Sequence, residues 1–194
     1  MEPPEKRVPA LAAGAAFALV ALLYLPAARF LHYASFSGDV DLARLAWLVP
    51  LAVAGAFLLE RVVRGALYAW LRAHLAAGLA APAVAALGAV PMAAARLAFG
   101  PHFDGPPILA VLHAYLLGFA LGLGLALLAL GTGSTVPGGA ALAVVWAVKA
   151  SAPAVFHGRP VPLLELLAAA LAAAAVAFVL REPLAPHRNA VWGA

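Results

Sequence analysis

Apolar residues fall in long runs along this chain, broken by short polar clusters. Each run has the length of a helix that crosses a lipid bilayer. The first is Val8 to Ala28, preceded by Glu5, Lys6 and Arg7. It is similar to a signal peptide, with a basic start, an apolar core and then Leu25-Pro26-Ala27-Ala28. It is also long enough to span, so a retained first crossing over 8–28 is expected. The second run is Leu45 to Val63, with Glu60 and Arg61 at its far end. Beyond it, Arg61, Arg64, Tyr68 and Arg72 recur at helical spacing, so 60–73 carries a basic stripe. Two readings stay open there: an interfacial helix, or the start of a third crossing reaching Ala95, drawn as a helix over 66–95. Pro82 and Pro91 within it are tolerable where neighbouring helices take up the freed carbonyls.

The loop from Arg96 to Pro107 is rich in Gly and Pro and leads to a fourth run, Ile108 to Leu130. Gly131 to Gly139 reads as a turn. The fifth run is Ala140 to Phe156, His157 to Pro160 is another turn, and the sixth run is Val161 to Leu180. The pattern predicts an all-α fold: a polytopic integral membrane helical bundle of about six transmembrane helices in one domain over 1–194. The helices are expected near 8–28, 45–63, 66–95, 108–130, 140–156 and 161–180.

Composition supports the bilayer. Apolar residues make up 66% of the chain and charged residues 10%, beyond the usage of soluble globular domains. At roughly 20 helical residues per crossing, about five to seven crossings use nearly all of the 194 residues. The chain has no cysteine, which excludes disulfides, thiolate metal sites, iron–sulfur clusters and a cysteine nucleophile. The sequence pI is near 10.0. In a soluble protein that value would suggest nucleic acid. Here the basic residues are mostly arginines at the ends of apolar runs, so they set orientation and no nucleic-acid partner is expected.

With six crossings, one face carries Lys6, Arg7, Arg61, Arg64, Arg72, Arg181 and Arg188. The other carries Arg29, Arg44, Arg96 and Arg159, diluted by Asp39, Asp41 and Asp104. The asymmetry predicts a multi-pass protein of the inner (plasma) membrane with both termini cytoplasmic. The same topology gathers four histidines on the outer side: His32 after the first helix, His102 in the loop before the fourth, His113 inside the fourth, and His157 after the fifth. Imidazole is the commonest metal ligand and a usual axial haem ligand. The cluster therefore suggests a site for haem b, copper or zinc, with His113, His32 and His157 as cofactor ligands. His102 and Asp104 would serve a bare metal ion, since carboxylate and imidazole together suit zinc or copper. The plainer reading is that these are interfacial residues at headgroup depth. His113 is embedded and must find a partner in either case.

The fourth helix has two committed faces. Gly118 and Gly122 form a G-x-x-x-G pair that lets another helix approach closely. At about 100° per residue they lie about 140–180° from His113. Lys149 sits inside the fifth helix, where it costs on the order of 2–3 kcal/mol unless it snorkels or pairs. Glu165 lies at similar depth in the sixth, so a buried Lys149–Glu165 ion pair is the economical account, with a proton- or ion-handling pair as the functional alternative. The chain has no H-E-x-x-H, phosphate-loop or G-x-S-x-G pattern. An enzyme is not expected.

The stretch Pro107-Ile108-Leu109-Ala110-Val111-Leu112-His113-Ala114-Tyr115, followed by Gly118 and Gly122, resembles a histidine-bearing helix of the NnrS-type haem–copper membrane proteins. That resemblance implies haem or copper held by helix histidines near the outer face, and it carries over one ligand, His113. This chain departs from the family in having half the usual helices. It also lacks a histidine at 131–139, where that family shows Gly-His-Thr-Gly. Two other classes fit as well. One is a small transporter component, either the substrate-binding part of an uptake system or a short ABC-type permease with Glu60 and the basic stripe as a coupling segment. The other is an accessory subunit packed among other membrane subunits in the lipid bilayer.

Overall fold

The computed structural model describes residues 7–36, 42–75, 77–99, 106–151, 154–156 and 160–180. They form eight α-helices: α1 (Arg7–Leu22), α2 (Tyr24–Phe30), α3 (Leu42–Leu59), α4 (Tyr68–His74), α5 (Ala77–Phe99), α6 (Pro107–Thr132), α7 (Val136–Ser151) and α8 (Pro160–Val179). A π-helical segment, Glu60–Leu67, joins α3 to α4 without a break. Because α1 runs into α2, the described residues build six helical rods. Pro26 explains the step at Leu23: it has no N–H to give to the Leu22 carbonyl, and its ring crowds the preceding turn.

Among the described residues, four helices are long and apolar enough to cross a membrane: Ala10–Phe30, Leu45–His74, Pro107–Thr132 and Val161–Val179. Leu79–Ala94 and Val136–Lys149 are shorter apolar stretches. The bundle turns its bulk outward. Leu19, Phe30, Ile108, Leu163 and Phe178 are exposed, while Ala13, Ala56, Ala85, Ala89 and Ala172 are among the fully buried residues. Lipid tails are as apolar as leucine, so helices gain little by hiding large side chains from them. Small residues bring backbones into contact instead. Phe17, Leu125, Leu128, Leu142 and Val176 fill the space between α1, α6, α7 and α8. Val63, Leu71, Ala80, Val84 and Ala126 join the second rod to α5 and α6.

Several boundaries differ from the sequence expectation. The basic stripe neither lies apart nor begins a third crossing at 66. It extends the second rod, and the break comes at Leu75, whose backbone is extended. The rod continues through its charges because Glu60 and Arg64 pair within it. Near its end the His74 Nδ1–H donates to the Trp70 carbonyl at 2.8 Å. The turn expected over 131–139 shrinks to Gly133–Thr135. Gly133 takes the left-handed φ of +66° that ends α6, a conformation glycine adopts without steric penalty. The Ser134 Oγ then accepts from the Val136 N–H at 3.2 Å, and Pro137 sits in the first turn of α7, where no N–H is needed.

The fifth helix ends at Ser151 instead of reaching Phe156. Ser151 Oγ turns back onto the Ala147 carbonyl at 2.6 Å. Residues Ala154–Phe156 form a short strand, β2, paired antiparallel with β1 (Ala34–Phe36), Ala34 opposite Phe156. This ribbon ties the end of the first rod to the end of α7.

Candidate functional site

Among the described residues, two clusters of charged side chains lie inside the bundle. The first lies in the π segment. Glu60 and Arg64 are 1% and 3% exposed. The Arg64 Nη1 donates to Glu60 Oε1, and its Nη2 donates to the Gly122 carbonyl of α6 at 3.4 Å. Residues four apart share one face of a helix, so both side chains enter the bundle together. Glycines make the room. A Cβ at Gly122 would stand 3.3 Å from the Ala85 carbonyl oxygen and 3.4 Å from Arg64 Nη2. One at Gly138, in the first turn of α7, would stand 2.8 Å from Glu60 Oε2. A helix N-terminus favours negative charge, which suits the carboxylate there. Two atoms of the pair, Glu60 Oε2 and Arg64 Nε, are buried with no hydrogen-bond partner among the described residues.

The second group crosses helices. Lys149 of α7 donates from Nζ to Glu165 Oε1 of α8 at 2.5 Å, and its ammonium lies 5.3 Å from the centre of the Tyr24 ring. His113 of α6 donates from Nε2 to the Pro162 carbonyl at 3.0 Å and lies 3.9 Å from Glu165 Oε2. The Lys149 side chain is 26% exposed and that of Glu165 is 5% exposed. The lysine stem therefore reaches outward from a carboxylate that does not.

The other candidates separate. Gly118 and Gly122 lie on the seam with α5, where a Cβ at Gly118 would meet the Ala89 backbone at 3.2 Å. His113 faces α8 instead. His32 is exposed on the turn after α2, with a φ of +60°. Its N–H donates to the Arg29 carbonyl at 3.2 Å and the Tyr33 N–H donates to the Ala28 carbonyl at 2.8 Å. That pair of bonds is a Schellman helix end with histidine in the left-handed position usually held by glycine. His102, Asp104 and His157 lie outside the described residues. Among the described residues no three His, Asp or Glu side chains converge as metal ligands do. Ligation by His113 would have to use Nδ1, because Nε2 holds Pro162.

The sequence reading set Glu60 at the end of an apolar run and Arg64 on a basic stripe. The structure splits that stripe: Arg61 and Arg72 are exposed and Arg64 is buried. The usable signal was an acid and an arginine four apart in the favourable order for a helical pair. Comparison with family models, curated proteins and solved structures finds no match to this chain.

Proposed function

We propose that this chain is a small multi-pass component of a membrane transport system, with ion or proton movement built around Glu60 and Arg64. The observation that carries the reading is a buried acid–base pair within a helix long enough to span, Leu45–His74. Charged groups are costly at membrane depth and mark pathways where they occur. Depth supports the reading. Trp47 and Trp70 are 57% and 58% exposed, on one rod, and indole rings favour the two membrane interfaces. At about 1.5 Å per residue they are about 35 Å apart, against a hydrocarbon core of about 30 Å. Glu60 then lies about 20 Å from the first and about 15 Å from the second, between the two interfaces. A π segment at that depth fits too, since such segments frequently occur at functional sites. The proposal includes six crossings of the inner membrane and cytoplasmic termini, supported by the six rods and by the asymmetry of basic residues.

The test is reconstitution into liposomes adsorbed on a solid-supported membrane, with proton, sodium and potassium gradients applied in turn. Transient currents that vanish in Glu60→Gln support the reading. No current under any gradient sinks it.

A second reading keeps the histidines as ligands of haem b, copper or zinc. One observation favours it: the β1–β2 ribbon joins the segment just after His32 to the segment just before His157. An absorption spectrum and metal analysis of protein grown with ample haem and copper decide it. A bound group lost in His113→Ala and kept in His74→Ala supports ligation. Equal retention removes His113 from the site.

A further inference from the structure

We infer that Glu60 is an intramembrane proton-binding carboxyl, with Oε2 as the atom that takes up and releases the proton. The inference deepens the transport reading by naming the ligand, and it rests on that reading for its purpose. The two oxygens of this carboxylate are in different situations. Oε1 accepts from Arg64, whereas Oε2 is buried without a partner among the described residues. A buried carboxylate oxygen that accepts no hydrogen bond carries its desolvation cost in full. Adding a proton to that oxygen removes the carboxylate's own desolvation cost, against the loss of Arg64's counter-ion, while Oε1 keeps its bond to Arg64.

Oε2 faces Gly138, where any Cβ would intrude to 2.8 Å, with a Leu125 methyl close by. Arg64 is held at its other side by Gly122, so the cation stays in place when the acid changes state. The step balances simply. An O–H bond forms at Oε2 with a proton from water at one face, and the pair goes from neutral to singly positive. Release to water restores the carboxylate.

No other described titratable group shares this site. The segment packs against α3, α4, α5, α6 and α7. Arg61, beside Glu60 on the segment, is exposed; on those elements the described titratable side chains are Tyr68, Arg72 and His74 on α4, His113 and Tyr115 on α6, and Lys149 on α7. Tyr68 and Arg72 continue the same rod beyond Arg64. Lys149 and His113 belong to the cluster on Glu165. That second carboxylate is the natural control, since the Lys149 ammonium lies 2.5 Å from its Oε1.

Two measurements on the full chain in lipid nanodiscs test this. The first is pH-difference infrared spectroscopy. A carboxylic-acid carbonyl band should titrate in the wild-type protein, vanish in Glu60→Gln and persist in Glu165→Gln. The second needs no variant. A hydrophobic carbodiimide adds to carboxyl groups that carry a proton, so mass spectrometry should find the adduct at Glu60, increasing as pH falls, and ahead of Glu165. A band unchanged by Glu60→Gln, no titrating band, or no pH-dependent adduct at Glu60 overturns the inference. Neither readout involves transport. Currents without a Glu60 band leave the transport reading standing and remove this one, and a Glu60 band without currents does the reverse.

Discussion

Glu60–Arg64 and Lys149–Glu165 are both acid–base pairs inside a helical bundle, yet they are built differently. The first draws both partners from one helix and leaves one oxygen and one nitrogen buried and unmatched. The second joins two helices, adds the face of Tyr24 and the ring of His113, and keeps its lysine partly in the open. A cation that can reach outward is cheap to keep, and it fastens α7 to α8. A pair sealed at depth fastens little that hydrophobic packing would not, because both partners already belong to one rod. Such a pair therefore points to chemistry more than to stability, and mutation separates the two roles.

The largest expected effect is at the sealed pair. Glu60→Leu leaves Arg64 buried without its counter-ion and should cost about 3–5 kcal/mol. The double variant Glu60→Leu/Arg64→Met should recover most of that loss. Unfolding in mixed detergent micelles measures both. Equal losses in single and double variants would show that the residues do not act as a pair.

Next comes the glycine seam that holds α6 to α5 beside that pair. Gly118→Leu drives a side chain into the Ala89 backbone, 3.2 Å from the first added carbon. A loss of about 3 kcal/mol is expected from forced separation of two backbones. Unchanged melting in detergent would mean that the contact contributes nothing.

The cross-helix cluster should respond less. Lys149→Met should lower stability by about 1 kcal/mol, since the lysine is partly exposed and polar contacts between membrane helices are individually modest. A double-mutant cycle with Glu165→Gln isolates the pair. A coupling as large as that of Glu60–Arg64 would erase the contrast between the two clusters.

The smallest effect has the opposite sign. His32 holds a left-handed backbone that favours glycine, so His32→Gly should raise stability by about 1 kcal/mol. Any bound chromophore or metal should be unaffected if this histidine serves only as a helix end. Loss of a bound group would return His32 to the ligand set despite its exposure.

Much of the site was open to sequence reasoning where the argument was local. Helical periodicity placed His113 away from Gly118 and Gly122, and in the structure His113 faces α8 and the glycines face α5. The insertion cost of Lys149 pointed to Glu165, and the two meet. The Glu60–Arg64 pair was missed for a physical reason. An arginine at the end of an apolar run is ordinarily an interfacial anchor, and only a rod that continues to His74 turns that end into an interior. The short start of α7 was missed likewise. Gly138 and Gly139 read as turn residues until Glu60 and Phe57 are seen to need the space beside them.

By itself the sequence determined the solvent and the grain of the fold, because runs of apolar residues set where a chain can meet lipid and how far each helix reaches. Which charges lie inside was decided only by tertiary structure. Burial depends on what the neighbouring rods present at that height, and here two glycines from different helices, Gly122 and Gly138, leave the room that Glu60 and Arg64 occupy.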